Sequence, residues 1–78
     1  MINADQARMF VKENLDKVMK AKIEQAIIQT AAAGKRRVDI DVYGMEIDVN
    51  ALISELRENG FHAWEFTDYQ ERDIVIQW

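Results

Sequence analysis

Ile47-Asp48-Val49-Asn50-Ala51-Leu52-Ile53-Ser54-Glu55-Leu56-Arg57-Glu58-Asn59-Gly60 is the stretch on which the reading of the whole chain turns. Asp48 is suited to cap a helix, because its carboxylate can accept from the free N–H groups of the first turn and favours the positive end of the dipole. Val49, Leu52, Ile53 and Leu56 recur at helical spacing on one face, with Asn50, Ser54, Glu55, Arg57 and Glu58 on the other. Ile47 precedes the cap and can close over Leu52 as a hydrophobic staple. Asn59-Gly60 ends the segment, since glycine takes the left-handed conformation without a side-chain clash. A short amphipathic helix follows, and its apolar face needs a sheet or a second helix to cover it.

Upstream, Asn3 and Gln6 have capping-box spacing, and no Pro or Gly interrupts Ala4 to Ala33. The spacing predicts one long helix, roughly 45 Å from end to end, well beyond the roughly 23 Å expected across a globule of this size. Leu15, Val18, Met19, Ile23, Ala26, Ile27 and Thr30 form the stripe expected to lie on the sheet. The first turns, with Ala7, Met9, Phe10 and Val11 spread around the axis, are expected to break away, project or pair with another chain. Phe10, Ala21 and Ile28 share a second face and suggest a seam for a homodimer. Lys17 and Lys20 beside it would repel their symmetry mates unless Glu13, Asp16 or Glu24 of the other copy intervene, which argues for antiparallel pairing or a modest affinity.

Gly34 closes that helix, and the cations of Lys35-Arg36-Arg37 suit a helix C-terminus. Val38, Ile40 and Val42 alternate with Asp39 and Asp41 as a half-buried strand, and Tyr43-Gly44 turns the chain into a short connection to the second helix. After Gly60, Phe61 to Thr67 and Ile74 to Trp78 read as a hairpin around the polar Asp68-to-Arg72 turn. In the first of these strands two sets compete for the core: His62, Trp64 and Phe66 by aromatic bulk, Phe61, Ala63 and Glu65 by position after the helix. Ile74-Val75-Ile76 is apolar on both sides and belongs in the middle of a sheet. The expected fold is α+β in the order α-β-α-β-β. It has a three-stranded mixed sheet of order 1-3-2, with the long and the short helix on one face and Asp39, Asp41 and Tyr43 on the other.

Seventy-eight residues allow a single domain with a core near the lower limit for independent folding. Absence of Cys excludes disulfides and thiolate chemistry. The start of the chain has no signal-peptide pattern, and no apolar run approaches a membrane span, so a cytoplasmic protein is expected. The net charge of −4 conceals an asymmetry: residues 1–37 carry eight Lys/Arg and four Asp/Glu, residues 38–78 two and ten. Attraction between the halves of one small domain accounts for this, and either face could also dock a partner.

The layout resembles that of small bacteriophage- or prophage-encoded accessory proteins. The carrying features are a long helix ending Ala31-Ala32-Ala33-Gly34-Lys35, a strand, a short helix ending Asn59-Gly60-Phe61, and a terminal Ile74-Val75-Ile76-Gln77-Trp78 strand. The resemblance implies an accessory role, binding or inhibiting a host protein, and brings no catalytic residue. Asp39 and Asp41, roughly 6.6–7 Å apart on one strand face, are the pair a small Mg²⁺- or Mn²⁺-dependent enzyme would use. A solvated polar face explains them without a metal. His62 is the lone histidine and reads as a packing or surface residue. Lys12, Lys17, Lys20, Lys22, Lys35, Arg36 and Arg37 lack interleaved aromatics, which argues against nucleic-acid binding. The reverse, an acidic surface that mimics nucleic acid, is open to Asp39, Asp41, Glu46, Asp48, Glu55 and Glu58. The expectation is a non-catalytic interaction module without cofactor or membrane partner. Its candidate partner-binding residues are Asp39, Asp41, Tyr43, Glu46, Glu55 and Glu58, with Phe10 and Ile28 on the first helix.

Overall fold

The structure is a computed structural model; it describes residues 1–11 and 16–78 with their side chains, and residues 12–15 only as part of the first helix. The readings above that fall on Lys12, Glu13 and Leu15 lie outside the described side chains. Helix α1 spans Ala4–Ala32. Asn3 Oδ1 accepts from the Gln6 N–H at 2.8 Å and Gln6 Oε1 accepts from the Asn3 N–H at 3.1 Å, the full capping box. Gly34, at φ 79°, ends α1: its N–H reaches the Ala31 carbonyl and the Lys35 N–H the Thr30 carbonyl, which satisfies two of the orphan carbonyls of the last turn.

Strand β1 is Arg37–Asp41, helix α2 Val49–Glu58, and β2 and β3 are His62–Asp68 and Glu71–Gln77. Asp48 caps α2 through Ala51 N–H at 3.0 Å, as its position in the sequence implies. The sheet order is β1-β3-β2. β3 is antiparallel to both neighbours, with Val38 opposite Ile76, Ile40 opposite Ile74, Ala63 opposite Ile76 and Trp64 opposite Val75. β1 and β2 therefore run the same way but never touch, so the directions are mixed only in that sense and both ladders are antiparallel.

Alternation assigns the two faces of the sheet. Ile40, Val42, Ala63, Ile74 and Ile76 are buried in one cluster with Met19 and Ile23 of α1 and with Val49, Leu52 and Ile53 of α2, which puts both helices on one face. α1 lies over β1 and α2 over β2. Phe61 joins the rim of this core and meets Trp78 edge to face, with centroids 6.2 Å apart. The competition in β2 is thus decided for Phe61, Ala63 and Glu65, and Trp64 and Phe66 point away from the helices.

Val18 does not join the core stripe: it is 65% exposed. At 100° per residue it sits about 100° from Met19 and about 140° from Ile23, too far round to reach the sheet. The helix continues without interruption from Ala4 to Ala32, and the molecule measures 50 × 28 × 21 Å, elongated along α1. The hairpin is longer than the sequence suggests. Asp68 pairs with Glu71 around a two-residue turn in which Gln70 takes φ 55°.

Candidate functional site: the open face of the sheet

Among the described residues, one face of the sheet carries no helix. Its residues follow from the register: Arg37, Asp39 and Asp41 on β1, Glu71, Asp73, Val75 and Gln77 on β3, and His62, Trp64, Phe66 and Asp68 on β2. Val75 lies at the centre and is only 2% exposed although no helix covers it. Trp64 is its direct cross-strand neighbour, and the Arg37 guanidinium reaches over β3 to lie 5.8 Å from the Trp64 ring centroid, a cation–π contact. Arg37 also donates from Nε to Asp39 Oδ1 at 3.1 Å. Val75 is thereby roofed by two flat groups, while Trp64 (37%) and Phe66 (46%) keep much of their own surface in water.

Five carboxylates, Asp39, Asp41, Asp68, Glu71 and Asp73, share this face with a single guanidinium. The carboxylates of Asp39 and Asp41 are engaged within the chain, Asp39 by Arg37 and Asp41 by the Tyr43 N–H at 3.0 Å. Among the described residues no group of three or more His, Cys, Asp or Glu could hold a metal ion.

The other candidates from the sequence fall elsewhere. Tyr43 is exposed just past the end of β1. Glu46 lies in the connection before α2 and lines a cleft with Ala7, Arg8 and Val11 of α1. Glu55 and Glu58 belong to α2, in the layer behind the sheet, so the acidic residues do not form one continuous surface. Glu55 is paired with Lys20 of α1 at 2.9 Å, and this hydrogen bond, then the Glu55 charge and those of Asp16 and Glu24, raises the Lys20 pKa above its ordinary value. The bridge spans a groove between the helices floored by Ile23, Ile27, Leu52, Leu56 and Phe61. Phe10 (57%) and Ile28 (62%) are exposed on α1 as expected, remote from the open sheet face.

Arg37, Trp64, Phe66, Asp73 and Val75 are among the members of this face that the sequence reading did not single out. The signal was present in the C-terminal cap of α2. Gly60 takes φ 89°, its N–H bonds the Arg57 carbonyl, and the Phe61 N–H bonds the Leu56 carbonyl. In that motif the residue after glycine packs back on the helix, which assigns Phe61 to the core and, by alternation, Trp64 and Phe66 to the opposite face.

No helix among the described residues is long and apolar enough to cross a membrane. Comparison with protein-family models, curated proteins and solved structures finds no match for the chain.

Proposed function

We propose that the chain is a non-catalytic protein-binding module whose open sheet face takes an apolar segment flanked by Lys or Arg from a larger partner. The observation that carries this reading is the pairing of exposed Trp64 and Phe66 with Asp41 and Asp73 on a face that no element covers among the described residues. Aromatic side chains on a bare sheet would also suit stacking of single-stranded bases, but phosphates would then lie among carboxylates. A cationic partner meets the same field favourably, and the aromatics supply the anchor area on which interfaces depend. In the phage or prophage setting that the layout resembles, the partner would be a host protein inhibited by having its basic surface covered.

A random peptide library selected against the immobilised protein tests this. Enriched peptides should carry Lys or Arg around an apolar or aromatic centre, and binding should fall at least tenfold with Phe66→Ser and with Asp41→Asn/Asp73→Asn. Ile28→Asp, in the other layer, should leave it unchanged. Failure to enrich any such peptide, or enrichment insensitive to the sheet variants, would overturn the reading.

A further inference from the structure

The face of α1 turned away from the sheet repeats in a way that the core does not require, although at its N-terminal end Ala7 and Val11 also line the cleft with Glu46. Ala7, Val11, Val18, Ala21, Gln25, Ile28 and Ala32 fall at alternating steps of four and three once position 14, outside the described side chains, is counted as a place in the repeat. That is a heptad seam, and at 100° per residue its members lie about 100–180° from Met19 and Ile23, which pack on the sheet, except Val11 at about 80° from Met19. Val11, Val18 and Ile28 on this seam are each about 60% exposed, three β-branched side chains in water on one line of one helix.

We infer that this face binds a second copy of the chain, antiparallel, about a two-fold axis crossing α1 between residues 19 and 20. Only near this register do the layers match in kind. Val11 meets the partner's Ile28, Val18 meets the partner's Ala21, and Ala7 meets the partner's Ala32, each layer occurring twice by symmetry. Charge selects the same arrangement. Lys17 and Glu24 flank the seam on one side, and neither is in an ion pair within the chain among the described residues. Antiparallel pairing sets Lys17 beside the partner's Glu24, twice. A parallel in-register pair would instead set Lys17 against the partner's Lys22, two like charges at each flank.

The size of the contact fits a modest dimer. Layers from Ala7 to Ala32 extend about 38 Å along the helix, and a strip about 10 Å wide on each copy buries roughly 760 Å² in total, below the range of stable specific interfaces and of the size of weak, transient ones. Alanine at the layers nearest the axis lets the helices approach closely, so packing compensates in part for the small area. The seam lies in the opposite layer from the open sheet face. A dimer would therefore present two open sheet faces outward, and this inference stands or falls independently of the one above.

Sedimentation equilibrium from about 1 μM to about 1 mM reads the outcome. The wild-type chain should pass from monomer to dimer mass across that range. Val18→Glu, at an exposed site whose replacement leaves the monomer's core intact, should stay monomeric with unchanged circular dichroism. Lys17→Glu alone and Glu24→Lys alone should each raise the dimer dissociation constant roughly tenfold, and the double exchange should restore it. The chain has no Cys, so a mixture of Val18→Cys and Ala21→Cys proteins under oxidation should give mainly the mixed disulfide. A monomer mass throughout would overturn the dimer. A dimer in which both charge exchanges are additive, or in which each Cys variant links to itself, would overturn the antiparallel register.

Discussion

Adjacent residues of the central strand should respond very differently to truncation, because β3 has a helix-covered side and a bare one. Ile76 is fully buried between Val38 and Ala63 with α1 and α2 above it. Replacement by Ala deletes the equivalent of three methylene groups. At about 0.8 kcal/mol for each, the transfer loss is about 2.4 kcal/mol. The surrounding helices are fixed by their own caps and contacts and can only partly collapse into the gap, so the total should be about 3.5–4.5 kcal/mol. Val75→Ala removes two groups, about 1.6 kcal/mol of transfer. The roof over Val75 is made of Trp64 and Arg37, surface side chains free to settle, so little cavity cost is added and the total should stay near 2 kcal/mol.

A domain of this length has a total stability of roughly 4–12 kcal/mol. With a urea slope of about 1 kcal/mol per molar, Ile76→Ala should lower the midpoint by about 4 M or leave the chain unfolded, and Val75→Ala should lower it by about 2 M. Ile76→Val keeps the experiment readable if the alanine variant does not fold, with an expected cost near 1 kcal/mol. Midpoints must be compared at one protein concentration, because self-association would stabilise the folded state by mass action. A larger loss from Val75→Ala than from Ile76→Ala, or no loss at Ile76, would refute the assignment of faces to β3.

Three local substitutions and one pH series extend the test. Gly60→Ala should cost about 1 kcal/mol by thermal or urea unfolding, although a Cβ there meets nothing within 4 Å, because the cost is conformational at φ 89°. The converse holds in the hairpin turn, where Gln70→Gly should raise stability by about 0.5–1 kcal/mol by relieving a side chain at φ 55°. Asp48→Ala should cost about 1 kcal/mol through loss of the bond to Ala51 N–H. The Lys20–Glu55 bridge raises the folded-state pKa of Lys20, so its contribution is fully present below the unfolded value of 10.5 and is lost as pH rises through the higher folded one. The wild type should accordingly be more stable than Glu55→Gln at pH 9, with the gap narrowing as pH rises above 10.5; a gap constant to the highest pH would assign the effect to something other than Lys20.

The order of elements and the strand order were legible because their signals are local and redundant. Asp48 and Gly60 bracket α2, Asn3 and Gly34 bracket α1, and an apolar Ile74-Val75-Ile76 run fits only the middle of a three-stranded sheet. The inner face of α1 was only partly legible. A stripe chosen by apolar character alone accepts Val18, whereas the sheet beneath is narrow and reaches only the sector held by Met19 and Ile23. Two apolar faces on one helix blur each other's periodicity, since an outward seam at steps of three and four lends its members to the reading of the inward one.

The open face was harder because strand parity cannot be weighed by bulk. In β2, two aromatics compete with Ala63 and Glu65, and burial of apolar area alone would turn Trp64 and Phe66 inward. The local cap decides against it. Once Gly60 is left-handed and the Phe61 N–H is tied to the Leu56 carbonyl, Phe61 is held against α2, and a one-residue slip that would bury Trp64 would expose Phe61 and Ala63 together. Arg57, whose Nε donates to the Ala63 carbonyl at 3.0 Å, fixes the same register from the helix side. The exposed aromatics are therefore a consequence of how α2 ends. A change that loosens that ending, such as Gly60→Ala, should weaken the order of Trp64 over Val75 as well as the helix, and this is readable as a shift in tryptophan fluorescence absent from Asp48→Ala at the other end of α2.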